Sequence, residues 1–169
     1  MRVALITLTT FFLSSSFYQC LAQKDSLRIA QTTPSWAWDA FQKTELKNNY
    51  SIIDSLNPYY LESDFNGDEL NDIAMLVQNR HDKKLGVLII NGGKNICFIM
   101  GAGKQIGLGT DISWCEQWFI YRKKSAFNLD AKVKKLILRN PSIEIRKNED
   151  ESIILYWDRK RYVSYIQKI

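Results

Sequence analysis

Three short apolar runs, at residues 73–78, 85–90 and 96–100, follow one another with only a few polar residues between them. Runs this short suit strands better than buried helices, and their β-branched side chains favour a pleated backbone. Asn91-Gly92-Gly93-Lys94-Asn95 carries residues suited to a tight reversal, and residues 79–84 form a second polar turn. An antiparallel meander is therefore the expected centre of the fold. Residues 59–63 add a strand before it. Downstream, residues 133–139 read as a strand, and in 142–147 Ile143 and Ile145 alternate with Glu144 and Arg146 as in a half-buried strand. Residues 152–157 and 161–167 flank Asp158-Arg159-Lys160 as a terminal hairpin, while the aromatic stretch 114–121 carries no clear period. No internal repeat appears at a fixed spacing, which argues against a propeller or solenoid.

The N-terminal end reads differently. Arg2 precedes an eleven-residue apolar run over residues 3–13, and Cys20-Leu21-Ala22 is a small-x-small ending before Gln23. Residues 1–22 are expected to be a cleavable secretory signal. The run is too short to cross a hydrocarbon core, which needs about 20 residues, and no later stretch approaches that length. Acylation at Cys20 is disfavoured by the bulk of Phe17, Tyr18 and Gln19 just before it. Residues 23–33 are polar and expected to be an extended lead-in, leaving 34–169 as a single globular domain. A helix is expected near 34–46, with Thr33 as N-cap and Pro34 at its first position. Trp36 with Ala40, and Ala37 with Phe41, then lie one turn apart on a face that docks on the sheet. The predicted fold class is α+β: a mainly antiparallel β-meander, an N-terminal helix packed on the sheet, and a C-terminal β-hairpin.

Hydrophobic residues make up 46% and charged residues 24% of the chain, globular proportions that exclude a disordered protein. The formal net charge is +5, and residues 120–169 hold thirteen Lys/Arg against six Asp/Glu. Because these cations alternate with apolar residues, they suit a solvated sheet face, and an exported protein is not expected to bind nucleic acid. Cys97 and Cys115 remain after signal removal. In an oxidising compartment they form either one disulfide or two buried thiols.

The carboxylates concentrate elsewhere. Residues 62–72 hold Glu62, Asp64, Asp68, Glu69 and Asp72 with no Lys or Arg. Within Asp64-Phe65-Asn66-Gly67-Asp68-Glu69-Leu70-Asn71-Asp72, oxygen side chains fall at the first, third, fifth and ninth places. That spacing can wrap a chain around Ca²⁺, which takes six to eight hard oxygens at about 2.3–2.6 Å. Asp64, Asn66, Asp68, the Leu70 carbonyl and Asp72 are the candidate ligands. The same Asp/Asn/Gly composition also suits a turn closed by its own side-chain-to-backbone hydrogen bonds.

With the strand at 73–77, this loop resembles the DxNxDxxxD unit of FG-GAP or VCBS-type repeats in extracellular proteins. Ile89-Ile90-Asn91-Gly92-Gly93, Gly101-Ala102-Gly103-Lys104 and Tyr156-Trp157-Asp158 are similar to segments of small secreted bacterial proteins of Bacteroidetes type that carry one such unit. The resemblance spans roughly residues 50–167, with only the loop specific, and it implies calcium-stabilised β structure without an activity. Two departures stand out. The sixth place, usually Gly, is Glu69, and the twelfth, the bidentate Glu of an EF-hand, is Met75.

Other motifs carry less. Gly101, Gly103 and Gly107 miss the dinucleotide spacing, and no glycine precedes Gly103-Lys104 at P-loop distance. Such glycines are expected to allow positive φ in a mobile loop. The only histidine, His81, falls in a polar turn. Trp114, Trp118, Phe119, Tyr121, Trp157, Tyr162 and Tyr165 either pack a small β core or form a ligand platform. The resulting expectation is an exported, periplasmic or extracellular, non-catalytic binding module. Its structural ion is Ca²⁺, and its partner is a protein or glycan of the envelope or extracellular space. The alternative is a small secreted hydrolase of cell-envelope polymer.

Overall fold

The computed structural model describes residues 27–168 except 131, 133 and 134. The signal segment 1–22, Cys20 and the first residues of the lead-in lie outside the described residues. The chain divides into two compact units, one ending at Ser35 and the other running from Trp36 to Ile169. In the first, residues 27–32 are helical rather than extended. Thr33 closes this segment: its amide and its hydroxyl donate to the Ile29 carbonyl at 3.0 and 2.7 Å. The residue expected to open the next helix therefore ends the previous one, because a Ser/Thr hydroxyl bonds a carbonyl four residues back as readily as an amide ahead.

The next helix, α1 (Ser35–Gln42), buries Ala37, Ala40 and Phe41. It stops earlier than the expected residue 46, where the Thr44 amide and hydroxyl both turn back to the Phe41 carbonyl. A single turn, α2 (Leu46–Asn49), leads into the sheet.

The first sheet holds β1 (Tyr50–Ile53), β2 (Tyr60–Ser63), β3 (Asp72–Asn79), β4 (Leu85–Asn91) and β5 (Ile96–Gly101), all antiparallel to their neighbours. The expected meander is β3-β4-β5. Along the other edge of β3, β1 pairs with residues 76–79 and β2 with 72–75, so they act as one strand interrupted at residues 54–59. In β3 and β4, Ala74 faces Ile89 and Leu76 faces Val87, on one side of the sheet. Ile73, Met75, Val77, Leu88 and Ile90 point to the other side and are equally buried. Burial on both faces explains why these strands read as continuous apolar runs without alternation.

The terminal hairpin, β10 (Glu151–Trp157) and β11 (Tyr162–Lys168), belongs to a second antiparallel sheet with β9 (Ser142–Arg146) and β6 (Gln117–Tyr121), in the order β11-β10-β9-β6. The aromatic stretch of uncertain type is thus an edge strand. A small pair, β7 (Ser125–Phe127) with β8 (Lys135–Ile137), stands apart from both sheets, and β8 is shorter than the expected 133–139.

The two sheets share one core. Leu61, Ala74, Leu76, Val87 and Ile89 meet Trp118, Ile143, Ile145, Ile153 and Leu155. The fully buried Trp118 donates its indole N–H to the Pro58 carbonyl at 2.7 Å, fixing the second sheet to the β1–β2 interruption. The fold is α+β and mainly antiparallel, as the sequence predicts, with the meander and hairpin in separate layers. Among the described residues no helix is long and apolar enough to cross a membrane.

Candidate functional site

The 64–72 loop joins β2 to β3 and is held by its own acidic side chains. Asp64 Oδ1 accepts the amides of Gly67 and Asp68 at 2.6 and 3.2 Å, and its Oδ2 accepts that of Glu69 at 2.9 Å. Asn66 Oδ1 accepts the Asp68 amide, and Asp68 Oδ1 accepts the Leu70 amide. These are nested turns of the kind short carboxylate and amide side chains form with amides two to five residues ahead. Gly67 lies at φ +83°, and a Cβ there would meet the Asn140 side chain at 2.6 Å. Glu69 takes φ +68° at the sixth place. The non-glycine residue at the usual glycine position therefore still adopts the left-handed backbone that makes the turn.

Asp72 is the centre of the site. It is fully buried and accepts three backbone amides from two segments, with the Tyr162 hydroxyl close by. The Phe65 and Asn66 amides reach its Oδ2 at 2.9 and 3.1 Å, and the Gly92 amide reaches its Oδ1 at 2.9 Å. The Tyr162 hydroxyl approaches Oδ2 at 3.4 Å and lies 2.8 Å from Asn91 Oδ1. Burial raises the Asp72 pKa above the ordinary carboxylate value, against the lowering pull of the Gly92, Phe65 and Asn66 amides; the Asp68 charge adds to the rise. Gly92 is required sterically: a Cβ there would sit 2.3 Å from the Asn71 carbonyl oxygen.

The candidate ligands are only partly gathered. Asn66 Nδ2 lies 3.1 Å from Asp68 Oδ2 and 3.5 Å from Asp72 Oδ1, so the amide group stands between two carboxylates. Asp64 is turned toward backbone amides, and Leu70 is exposed. Of the other acids, Glu62 accepts from Asn71 Nδ2 at 2.9 Å. Among the described residues no group of three or more His, Cys, Asp or Glu is placed to hold a metal ion. An ion here would depend on the neutral oxygens of Asn66 and Leu70 as well as the carboxylates.

Sequence reading missed Asn91, Gly92, Tyr162 and Asn140 as parts of this site. Asn91-Gly92 was legible as a turn, but nothing local marks the start of β11 or the segment before β9 as its neighbours. Asn140 Nδ2 approaches the Phe65 carbonyl at 3.5 Å.

The remaining candidates fall outside the site. Cys97 on β5 and Cys115 ahead of β6 are free, half-buried thiols. Burial pushes each up to about 11. His81 is exposed in its turn, with its amide bonded to Asn79 Oδ1. Gly101, Gly103 and Gly107 do take positive φ. Their loop is anchored rather than free-standing, since Ile106 and Ile112 are core residues and Asp111 accepts the Leu85 amide at 2.8 Å. Trp118, Tyr121 and Tyr162 are buried and form no ligand platform. A scan against protein-family models finds no match, and searches of curated proteins and of solved structures return none.

Proposed function

We propose that this chain is an exported, non-catalytic binding module of the FG-GAP/VCBS-like kind, whose 64–72 loop takes up one structural Ca²⁺. The carrying observation is the convergence at Asn66. Its side-chain nitrogen, the positive end of the amide dipole, lies between Asp68 and Asp72. A divalent cation satisfies the same two carboxylates more strongly, with Asn66 presenting its oxygen in place of its NH₂. The left-handed backbone at Gly67 and Glu69 supports the reading, because a loop that wraps a cation needs a sharp turn at its centre. Asp68 is exposed, so the ion would sit at the rim of the fold and bind weakly.

Calcium binding to the native state alone raises the melting midpoint by mass action. A rise of a few degrees is expected between chelator and millimolar calcium. Asp68→Asn keeps the acceptor for the Leu70 amide and removes the charge. It should melt like the parent in chelator and lose most of the calcium response. A parent midpoint indifferent to calcium removes the ion from this reading.

A further inference from the structure

A cleft of about 500 Å³ opens between the approach to β9 and the β10–β11 turn. That size falls within the range of small-ligand pockets. Its walls combine the half-buried Tyr156 with the exposed cations Arg139, Arg159 and Lys160, while the neighbouring Trp157 turns to the other face of β10. There the indole packs into the core, edge-on to Phe98 at 5.7 Å and tilted against Tyr162 at 4.9 Å, and holds the end of β10 behind the cleft.

The charge in the cleft is unbalanced. No described carboxylate forms a salt bridge with Arg139, Arg159 or Lys160. The one acid on the wall, Asp158, is engaged within its own turn: its Oδ1 accepts the Lys160 and Arg161 amides, each at 2.9 Å, and Arg161 Nε lies 3.8 Å from its Oδ2. Asn140 completes the lining. Its nitrogen leans on the Phe65 carbonyl, and its Oδ1 accepts from no described group.

We propose that this cleft binds an acidic sugar, a hydroxylated ring bearing a carboxylate or a sulfate. Cations alone would serve a bare anion, but the Tyr156 ring beside the Asn140 amide oxygen matches a ring with an apolar face and hydroxyl edges. Arginine forks pair with carboxylate or sulfate oxygens. The inference deepens the binding-module reading and does not depend on its calcium ion.

The test is calorimetric titration of the protein in chelator, so that failure of calcium binding leaves the result untouched. The probes are trigalacturonate, a sulfated disaccharide, neutral maltotriose and hexaglutamate. At least one acidic sugar should bind, with maltotriose silent and hexaglutamate weaker. Affinity should fall about tenfold between about 0.05 and about 0.5 M salt. The variant Arg139→Gln/Arg159→Gly/Lys160→Gln should lose binding at an unchanged or higher melting midpoint, because Arg159 sits at φ +84°, where glycine is preferred. The proposal is overturned if neither acidic sugar binds, if the triple variant binds as the parent does, or if maltotriose matches the acids. Hexaglutamate binding as tightly as the sugars would also overturn it, marking the cleft as an acidic-peptide groove.

Discussion

The Tyr162 hydroxyl reaches the Asp72 carboxylate at 3.4 Å across ninety residues of chain, and lies 2.8 Å from Asn91 Oδ1 as donor to acceptor. One side chain of the last strand thereby joins the start of β3 to the end of β4, tying the two sheets at one corner. Burial first, and the Asp72 charge second, raises the Tyr162 pKa, so the group remains a donor over the whole working range of pH.

Tyr162→Phe isolates that donor. The ring keeps its contacts with Phe98 at 5.2 Å and Trp157 at 4.9 Å, so little packing changes. What is lost is the partner of a buried acceptor, Asn91 Oδ1, and leaving such a group unsatisfied costs about 1–3 kcal/mol. Urea unfolding should show a lower midpoint with an unchanged slope. Adding Asn91→Leu should cost less than the sum of the single changes, since the two share one bond. Full additivity would mean that the bond contributes nothing.

The parts of this corner differ in how far local sequence reveals them. The β3-β4-β5 meander was legible because its strands follow one another and their turns carry Asn and Gly. The loop's acids were legible because side-chain spacing in a tight turn is a local property. The second sheet was not: β6 pairs with β9 across the β7–β8 excursion, and Trp118 meets Ile145 only through that long-range register. Thr33 misled because its hydroxyl serves either helix end, and only the chain before it decides which. Asp72 was nominated for its spacing, yet its burial and its bond to Gly92 follow from strand pairing that no local pattern encodes.

Cys97 and Cys115 give a chemical check on the layered fold. Burial holds both thiols near 11, and Cys115 Sγ also donates to the Gln117 carbonyl at 3.2 Å. The thiolate is the reactive form, so at about pH 8 both should react with Ellman's reagent far more slowly than in the unfolded chain. Denaturation without reductant should release both to alkylation, each adding one label by mass. A species that takes no label at either position until reduced would show that a disulfide joins them.

Asp72 makes the sign of the pH dependence diagnostic. In chelator its folded pKa lies above the 3.8 of an unperturbed carboxylate, mainly through burial, so the native state holds this proton more tightly than the unfolded chain. Its titration therefore contributes most stability below 3.8, and that contribution is lost as pH rises through the folded value. Other acids act in the opposite sense: Asp82, Asp111 and Asp158 are all lowered. The Asp72 effect is therefore read as a difference from Asp72→Asn, which cannot titrate. Asparagine turns an NH₂ toward the Gly92 amide or toward those of Phe65 and Asn66, so the variant is less stable at every pH, by about 1–3 kcal/mol. In chelator, the gap between parent and variant should be widest near pH 3 and narrow toward about pH 6. Saturating calcium requires the ionised carboxylate, so the gap should then widen as pH rises. Narrowing in both buffers would exclude an ion at Asp72, and widening in chelator would refute the burial that places this carboxylate at the centre of the site.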